Sequence, residues 1–334
     1  MPTYKDAGVD LEKADRLVDT LAAYQQRTEE ATSRSLFRGF GDFAASYDLS
    51  SYENPVVLSS CDGVGTKFIL QKRYDELESA GQDLVAMNVN DLLTTGGEPL
   101  LFLDYVAMSP LENDTVEALV DGMARACEES NCLLAGGETA ELPGMVDEGD
   151  VELAGFCVGA AEKDQLQNRP DVEDGQVVLG LPSDGIHANG FSLVRAVLDE
   201  NPEEFDDEDI RSLLTPTRLY YDTVTALRDH GLTPPGMVHV TGGGIEGNLS
   251  RVLPENTGAD ITVPEWGDPV IQRVLEHVPD EEALRTFNMG FGWLLVVDPD
   301  EVDNYREVLS EARTLGTIRA DGELTVRYGE ESNP

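Results

Sequence analysis

From Asp10 to about Arg27 the apolar positions Leu11, Leu17, Val18, Leu21 and Tyr24 recur at helical spacing. The next segment, Ser33–Ser51, is rich in Gly, Phe and Ser and predicts a loop. Apolar runs predict strands at Pro55–Ser60, Pro99–Met108, Cys132–Ala135 and Glu152–Ala161. Helical periodicity predicts Thr66–Leu77, Asp83–Thr94 and an amphipathic helix marked by Val116, Leu119, Val120, Met123 and Cys127. A polar stretch, Glu162–Gln176, then breaks the pattern and predicts a boundary between domains at 1–165 and 170–334. Beyond it the pattern predicts strands at Val177–Leu181, Met237–Val240, Ile261–Val263 and Trp293–Val297. It also predicts helices near Gly190–Leu198, Thr217–Arg228 and Glu301–Leu315, and an edge hairpin near Thr317–Tyr328. Strands and helices mix without strict alternation, so the class is α+β or mixed α/β. At 334 residues the chain exceeds the ~250–300 at which single cores stop growing, which agrees with two domains.

Composition changes this picture in two ways. With 65 acidic residues against 23 basic ones, the net charge is −42, which argues against nucleic acid or an anionic membrane as partner. Only five of the basic residues are lysine, and an acidic, lysine-poor but well-patterned chain resembles proteins of salt-accumulating halophiles. At 1 M salt the Debye length is about 3 Å, so the self-repulsion is screened and the acidity describes the solvent more than the ligand. The acidic run Asp199–Asp209 reads as a solvated face. No stretch approaches the ~18 apolar residues of a membrane span, the first residues lack a signal-peptide core, and the four cysteines form no C-x-x-C pair. These features predict a cytoplasmic protein with reduced thiols.

Candidate chemistry concentrates in glycine-rich polar clusters at strand ends and helix starts. In C-D-G-V-G-T-K, Cys61–Lys67, an aspartate precedes two glycines, a threonine and a lysine. Gly63 and Gly65 permit close backbone approach, Thr66 opens a helix whose N–H groups would face an anion, and Lys67 supplies a point charge. The same residues would also make a tight strand-to-helix turn with Asp62 as a cap. Asn88 and Asp91 lie one helical turn apart on one face. In G-G-E-T-A-E-L-P-G-M, Glu138 and Glu141 flank Thr139 in a Gly/Pro setting that suits a hard cation such as Mg²⁺. In S-D-G-I-H-A-N-G, His187 is boxed by Ser183, Asp184 and Asn189, and His239 ends a strand before T-G-G-G, Thr241–Gly244. Gly242, Gly244 and Gly247 formally spell a dinucleotide fingerprint, but the strand before them is very short, so an anion-binding nest fits the same glycines better.

Read in order, nine blocks resemble the aminoimidazole ribonucleotide synthetase family. They are Tyr4–Asp10, Cys61–Lys67, Asp83–Asp91, Glu98–Tyr105, Gly136–Met145, Ala154–Gly159, His187–Arg195, His239–Gly244 and Arg285–Gly292, and they span nearly the whole chain. The resemblance implies two α+β domains, the N-terminal one ferredoxin-like and pairing with a second copy into a shared barrel, so a homodimer. It implies ATP and Mg²⁺ as cofactors and formylglycinamidine ribonucleotide as substrate. It implies catalytic roles for His187, Asp91 and Lys67, and a metal held by Asp62, Asp91 and Glu138. Nucleotide contacts are implied for Asp62, Gly63, Gly65, Thr66, Lys67, Asn88, Asp91, Gly137, Glu138 and Thr139. Substrate contacts are implied for Glu141, Ser183, His187, Asn189, His239, Thr241, Gly242, Gly243 and Gly244. The chain departs from the family in its first glycine-rich loop, R-G-F-G-D-F at Arg38–Phe43, where the family has a longer segment expected to close over the nucleotide.

Related ATP enzymes fit less well. Selenophosphate synthetase wants a reactive residue near the N-terminus, and no cysteine precedes Cys61. Hydrogenase-maturation relatives end in a cysteine where this chain ends E-S-N-P, and thiamine-phosphate kinase lacks most of the nine blocks. Single-chain amidotransferase-type relatives are much longer. A binding protein on the same scaffold would bind without turnover, and a nicotinamide oxidoreductase would bind its cofactor at Gly242–Gly247.

Overall fold

The structure is a computed structural model, and it describes residues 11–41, 43–166, 172–320 and 322–329. Tyr4–Asp10 and part of the expected boundary segment lie outside the described residues. The chain divides into two compact units. One comprises the chain up to Val64, Gln71–Leu92 and Gly97–Gln165; the other comprises Gly65–Leu70, Leu93–Gly96 and the chain from Leu166 on. The single boundary expected from polarity therefore misses two short pieces of the N-terminal half, which pack with the second unit.

The first unit holds a four-stranded mixed sheet. Its strands are β1 (Pro55–Gly63), β2 (Glu98–Met108), β3 (Leu133–Glu141) and β4 (Val151–Glu162), in the order β1-β4-β2-β3. β4 is antiparallel to β1 and β2, while β2 and β3 are parallel. The helices are α1 (Leu11–Ala31), α2 (Lys67–Arg73), α3 (Leu77–Leu93) and α4 (Asn113–Glu129), with α2 split between the two units. The apolar stripe of α4 buries Val116, Leu119, Val120, Met123 and Cys127, as its period requires. α3 and α4 meet backbone to backbone. A Cβ on Gly122 would lie 1.9 Å from the Glu78 carbonyl oxygen, and one on Gly81 would lie 2.0 Å from that of Leu119. Arg27 ties α1 to α4, meeting Asp121 at 2.6 Å and also bonding Glu128. Val57 and Phe156 remain exposed on the sheet.

Two expectations shift here. β1 runs on through Asp62 and Gly63, so the aspartate sits in the strand and not beyond it. β3 runs from Leu133 through Glu141, so Glu138, Thr139 and Glu141 stand on a strand and not in a Gly/Pro loop. Parallel pairing with β2 from Leu103–Gly136 to Met108–Glu141 extends it past its glycines.

The second unit is built on a six-stranded sheet. Its strands are β5 (Val177–Pro182), β6 (Gly236–His239), β7 (Gly258–Val263), β8 (Phe291–Val297), β9 (Arg313–Arg319) and β10 (Leu324–Tyr328), ordered β10-β7-β9-β5-β8-β6. β8 reads F-G-W-L-L-V-V and is buried at every position. Around the sheet run α5 (Phe191–Glu200), α6 (Asp207–Leu213), α7 (Tyr221–Asp229), α8 (Gly244–Leu249), α9 (Pro269–Glu276), α10 (Asp280–Thr286) and α11 (Val302–Val308). The expected helix Glu301–Leu315 stops at Val308, and the chain re-enters the sheet as β9, burying Leu315 and Ile318. The expected edge hairpin does not form, because β10 pairs parallel with β7 while β9 pairs with β5 and β7. The end of the acidic run is also more than a solvated face. Asp206 accepts hydrogen bonds from the Glu208 and Asp209 N–H groups, both at 2.9 Å, and caps α6. Among the described residues, no helix is long and apolar enough to cross a membrane.

Candidate active site

Each unit gathers its own set of the expected residues. In the first, Asp62 is exposed near the end of β1, where its carboxylate accepts the Gly63 N–H at 2.8 Å. Asn88 is fully buried on α3. Its amide nitrogen donates to the Leu84 carbonyl at 2.9 Å and to the Asp62 carbonyl at 3.3 Å, while its backbone carbonyl accepts the Ser60 hydroxyl at 2.7 Å. Asn88 thus clamps α3 to β1, and Asp91 follows it by one turn, half-buried on the same helix. Asn88 is a brace between the elements that carry the two aspartates, which its sequence position alone does not reveal.

A cavity of about 340 Å³ lies in the same unit. One wall is apolar, with Leu17, Leu21 and Ala22 of α1, and the other carries Gly137, Glu138 and Thr139 of β3 with Asp104 of β2. Phe40 and Gly41, from the Arg38–Phe43 loop, also line it; Asp42 lies outside the described residues. Burial, reinforced by the charge of Glu138, pushes the Asp104 carboxyl up to about 7. Asp104 Oδ1 fills the space beside Gly137 that a Cβ would occupy. Glu141 belongs elsewhere, since its Oε1 accepts the Leu111 N–H at 2.8 Å. This bond engages the carboxylate expected to face substrate.

Mg²⁺ usually binds one or two carboxylates and takes its remaining oxygens from phosphates and water, so a fit here would call on carboxylates such as Asp62 and Asp91. Among the described residues, no group of three His, Cys, Asp or Glu side chains is arranged to hold a metal. The expected triad of Asp62, Asp91 and Glu138 is therefore not preassembled, and Glu138 lines the cavity instead.

In the second unit, Gly65 turns the chain at φ +61°, and the Thr66 hydroxyl lies 2.9 Å from that of Ser192. Lys67 is fully buried. Its ammonium donates to the Thr215 carbonyl at 2.7 Å and lies 5.5 Å from the centre of the Phe191 ring. The lysine expected to meet phosphates is thus buried and bonded to backbone.

His187 sits in the left-handed region at φ +67° and is buried, with neither ring nitrogen hydrogen-bonded. It stands among rings, 6.3 Å from Tyr220 and 6.5 Å from His239, and Trp293 stacks on Tyr220 at 5.2 Å. Gly292 makes this packing possible, because a Cβ there would lie 2.2 Å from His187 Cε1. Burial first, then the charges of His239, Lys67 and Arg218, hold the His187 imidazole well below its ordinary range. A neutral imidazole with two unpartnered nitrogens can accept or relay a substrate proton.

Two buried asparagines to which the sequence reading gave no role of their own shape the adjoining turns. Asn288 accepts from the Ser183 hydroxyl at 3.2 Å and the Gly290 N–H at 2.9 Å, and donates to the Gly185 carbonyl at 3.1 Å. Asn248 donates to the carbonyls of Thr241, Gly242 and Gly244 and accepts the Thr241 hydroxyl at 3.1 Å. It holds the T-G-G-G turn, whose Gly243 and Gly244 have φ of +99° and +62°. Asn189 reaches the same turn, because a Cβ on Gly242 would lie 3.3 Å from its Oδ1. The dinucleotide fingerprint fails on topology. β6 has four residues and pairs antiparallel with β8, so no parallel βαβ unit surrounds the glycines.

The comparisons agree with this two-part layout. Residues 41–161 match the model of the AIR synthase related protein N-terminal domain, and residues 173–329 that of the C-terminal domain. A phosphoribosylformylglycinamidine cyclo-ligase from Thermoanaerobacter pseudethanolicus is 40% identical over 94% of this chain and 97% of its own length. One from Neisseria meningitidis is 41% identical over 98% and 97%. Among solved structures, thiamine-monophosphate kinase from Stenotrophomonas maltophilia has a TM-score of 0.63 at 19% identity, covering 91% of this chain and 94% of its own. The E. coli hydrogenase maturation protein HypE has a TM-score of 0.64 at 16% identity, covering 96% of each chain. These distant structures share the fold, whereas the two matched domains and the near-full-length relatives show that this chain belongs to the AIR synthase family of phosphoribosylformylglycinamidine cyclo-ligases.

Proposed function

We infer that this chain closes the imidazole ring of 5-aminoimidazole ribonucleotide from formylglycinamidine ribonucleotide in de novo purine synthesis, releasing ADP and phosphate. The observation that carries this reading is the near-full-length likeness to cyclo-ligases. An amide oxygen is a poor leaving group. Moving the γ-phosphoryl of ATP onto the formyl oxygen makes it a good one, the amidine nitrogen adds to the activated carbon, and phosphate departs. Such chemistry needs positioning and charge neutralisation more than covalent help from the protein.

The cavity in the first unit supports nucleotide binding there, with the α1 wall against a base and Glu138 and Thr139 on its polar side. Asp62 and Asp91 are the residues that would hold Mg²⁺, which when bound supplies charge neutralisation at the phosphates. The Asn88 clamp fixes the elements carrying both carboxylates. In the second unit, the Asn248-braced turn Thr241–Gly244 would cradle the substrate phosphate, Ser183 and Asn189 would orient the ribonucleotide, and His187 with His239 nearby would take up the amidine proton.

We further read the first unit as the ferredoxin-like half of a homodimer, its exposed Val57 and Phe156 facing a second copy across a shared barrel. The acidity supports a cytoplasmic protein of a salt-accumulating cell.

The test is 5-aminoimidazole ribonucleotide formation, followed by diazo coupling in molar KCl. Product that depends on both ATP and Mg²⁺ is expected, and Asp62→Asn and Asp91→Asn should each cut turnover at least about 100-fold. A folded protein that binds ATP yet forms no product would overturn the reading.

A further inference from the structure

We propose that Lys67 is a positioning residue rather than a phosphate ligand: a buried cation that anchors the turn carrying His187 and keeps that imidazole a neutral proton acceptor. This rests on the reading of His187 as the group that faces substrate.

Three observations carry it. First, the ammonium is buried in the second unit, pointing at the Thr215 carbonyl and lying near the Phe191 ring. Burying a cation is costly unless polar groups and ring faces replace its water, and these contacts hold it in one place. Second, Phe191 opens α5 directly after the His187–Gly190 turn, so the cation is packed against the end of the segment that presents His187. Third, His187 has no hydrogen bond at either nitrogen, so its protonation state is set by burial and by the charges around it. Those charges are Lys67 on α2, His239 at the end of β6 and Arg218 just before α7. The other ring packed against His187 is Tyr220, whose hydroxyl donates to the Pro182 carbonyl.

The sign follows directly. Lys67 opposes a proton on His187, so removing its charge raises the His187 midpoint. A ligand of ATP phosphates would act differently, since its loss would weaken ATP binding and leave His187 unchanged.

The experiment uses the full chain labelled with ¹⁵N-histidine, whose four rings are few enough to resolve, with His187→Gln assigning its signal. In the unaltered protein, the His187 ring is expected to titrate well below the ordinary histidine range. In Lys67→Met, its midpoint should rise by about half a unit or more. Turnover with Mg-ATP and formylglycinamidine ribonucleotide should fall about tenfold, with the KM for ATP within about twofold. An unmoved His187 midpoint, or a KM for ATP raised about tenfold, overturns the proposal. Should Lys67→Met fail to fold, reductive methylation of the unaltered protein decides. Lys67 is expected to resist it equally with and without Mg-ATP, and protection that appears only with Mg-ATP overturns the proposal. Turnover of the unaltered enzyme is measured first. Absence of product there refutes the proposed activity, while the ring titration still tests the electrostatic link.

Discussion

At the scale of single residues, Asp104 carries a pH prediction. Its carboxyl is pushed up to about 7, mainly by burial. An unfolded aspartate titrates near 3.9, so between these values the folded protein holds a proton that the unfolded chain has lost. Stability contributed by that proton is complete below about pH 4 and is lost as the pH climbs through 7. Asp104→Asn removes the titration. Chemical denaturation of both proteins from pH 5 to 8 should show the wild type losing on the order of 2 kcal/mol relative to the variant, and parallel curves would refute this. Asp104 was invisible to the sequence reading because it sits inside an apolar strand pattern and marks no turn. The turn that holds His187 and Asn189 was legible because serine, aspartate and glycines crowd around them. Asn248 and Asn288 were not, since they act by threading amides into turns whose shape a sequence does not display. The charge of Lys67 could be read, but its burial could not, because Thr215, 148 residues away, supplies the acceptor.

At the scale of elements, the α3–α4 contact is the sharpest test of packing. Gly122→Ala places a methyl carbon 1.9 Å from the Glu78 carbonyl oxygen, and that obstacle is backbone, which cannot rotate aside. The helices must part, and because α3 carries Asn88 and Asp91 the strain reaches the Asn88 clamp on Asp62. A loss of about 2–3 kcal/mol in unfolding free energy is expected, with a weaker response to Mg²⁺; a variant within about 0.5 kcal/mol of the wild type would show the helices free to slide. Most strands and the long helices were legible because their apolar residues run or repeat over enough positions, whereas the start of β9 was read as the end of the helix before it. α6, α9 and α10 were not legible, each only seven or eight residues long. α6 and α9 owe their starts to aspartate caps, Asp206 and Asp268, in a chain where acids are everywhere. β3 was cut short in the reading because Gly136 and Gly137 look like a turn, whereas pairing with β2 carries the strand through them.

At the scale of the whole molecule, net charge competes with the exposed apolar sheet face. Two copies each bearing −42 repel strongly when they associate, and nothing in the sequence balances this. At about 1 M salt the Debye length shrinks to about 3 Å and the repulsion is screened, while apolar burial between faces bearing Val57 and Phe156 persists. At about 0.01 M salt it grows to about 30 Å and the charges of both copies are felt together. Light scattering should therefore find a dimer in molar KCl that dissociates as salt is withdrawn, with turnover falling in step if the dimer is the active form. Phe156→Glu adds a charge within the proposed interface and should give monomer even in molar KCl. A dimer unchanged across the salt range would mean that repulsion between copies is too weak to matter. A Phe156→Glu dimer would place the interface on some other face.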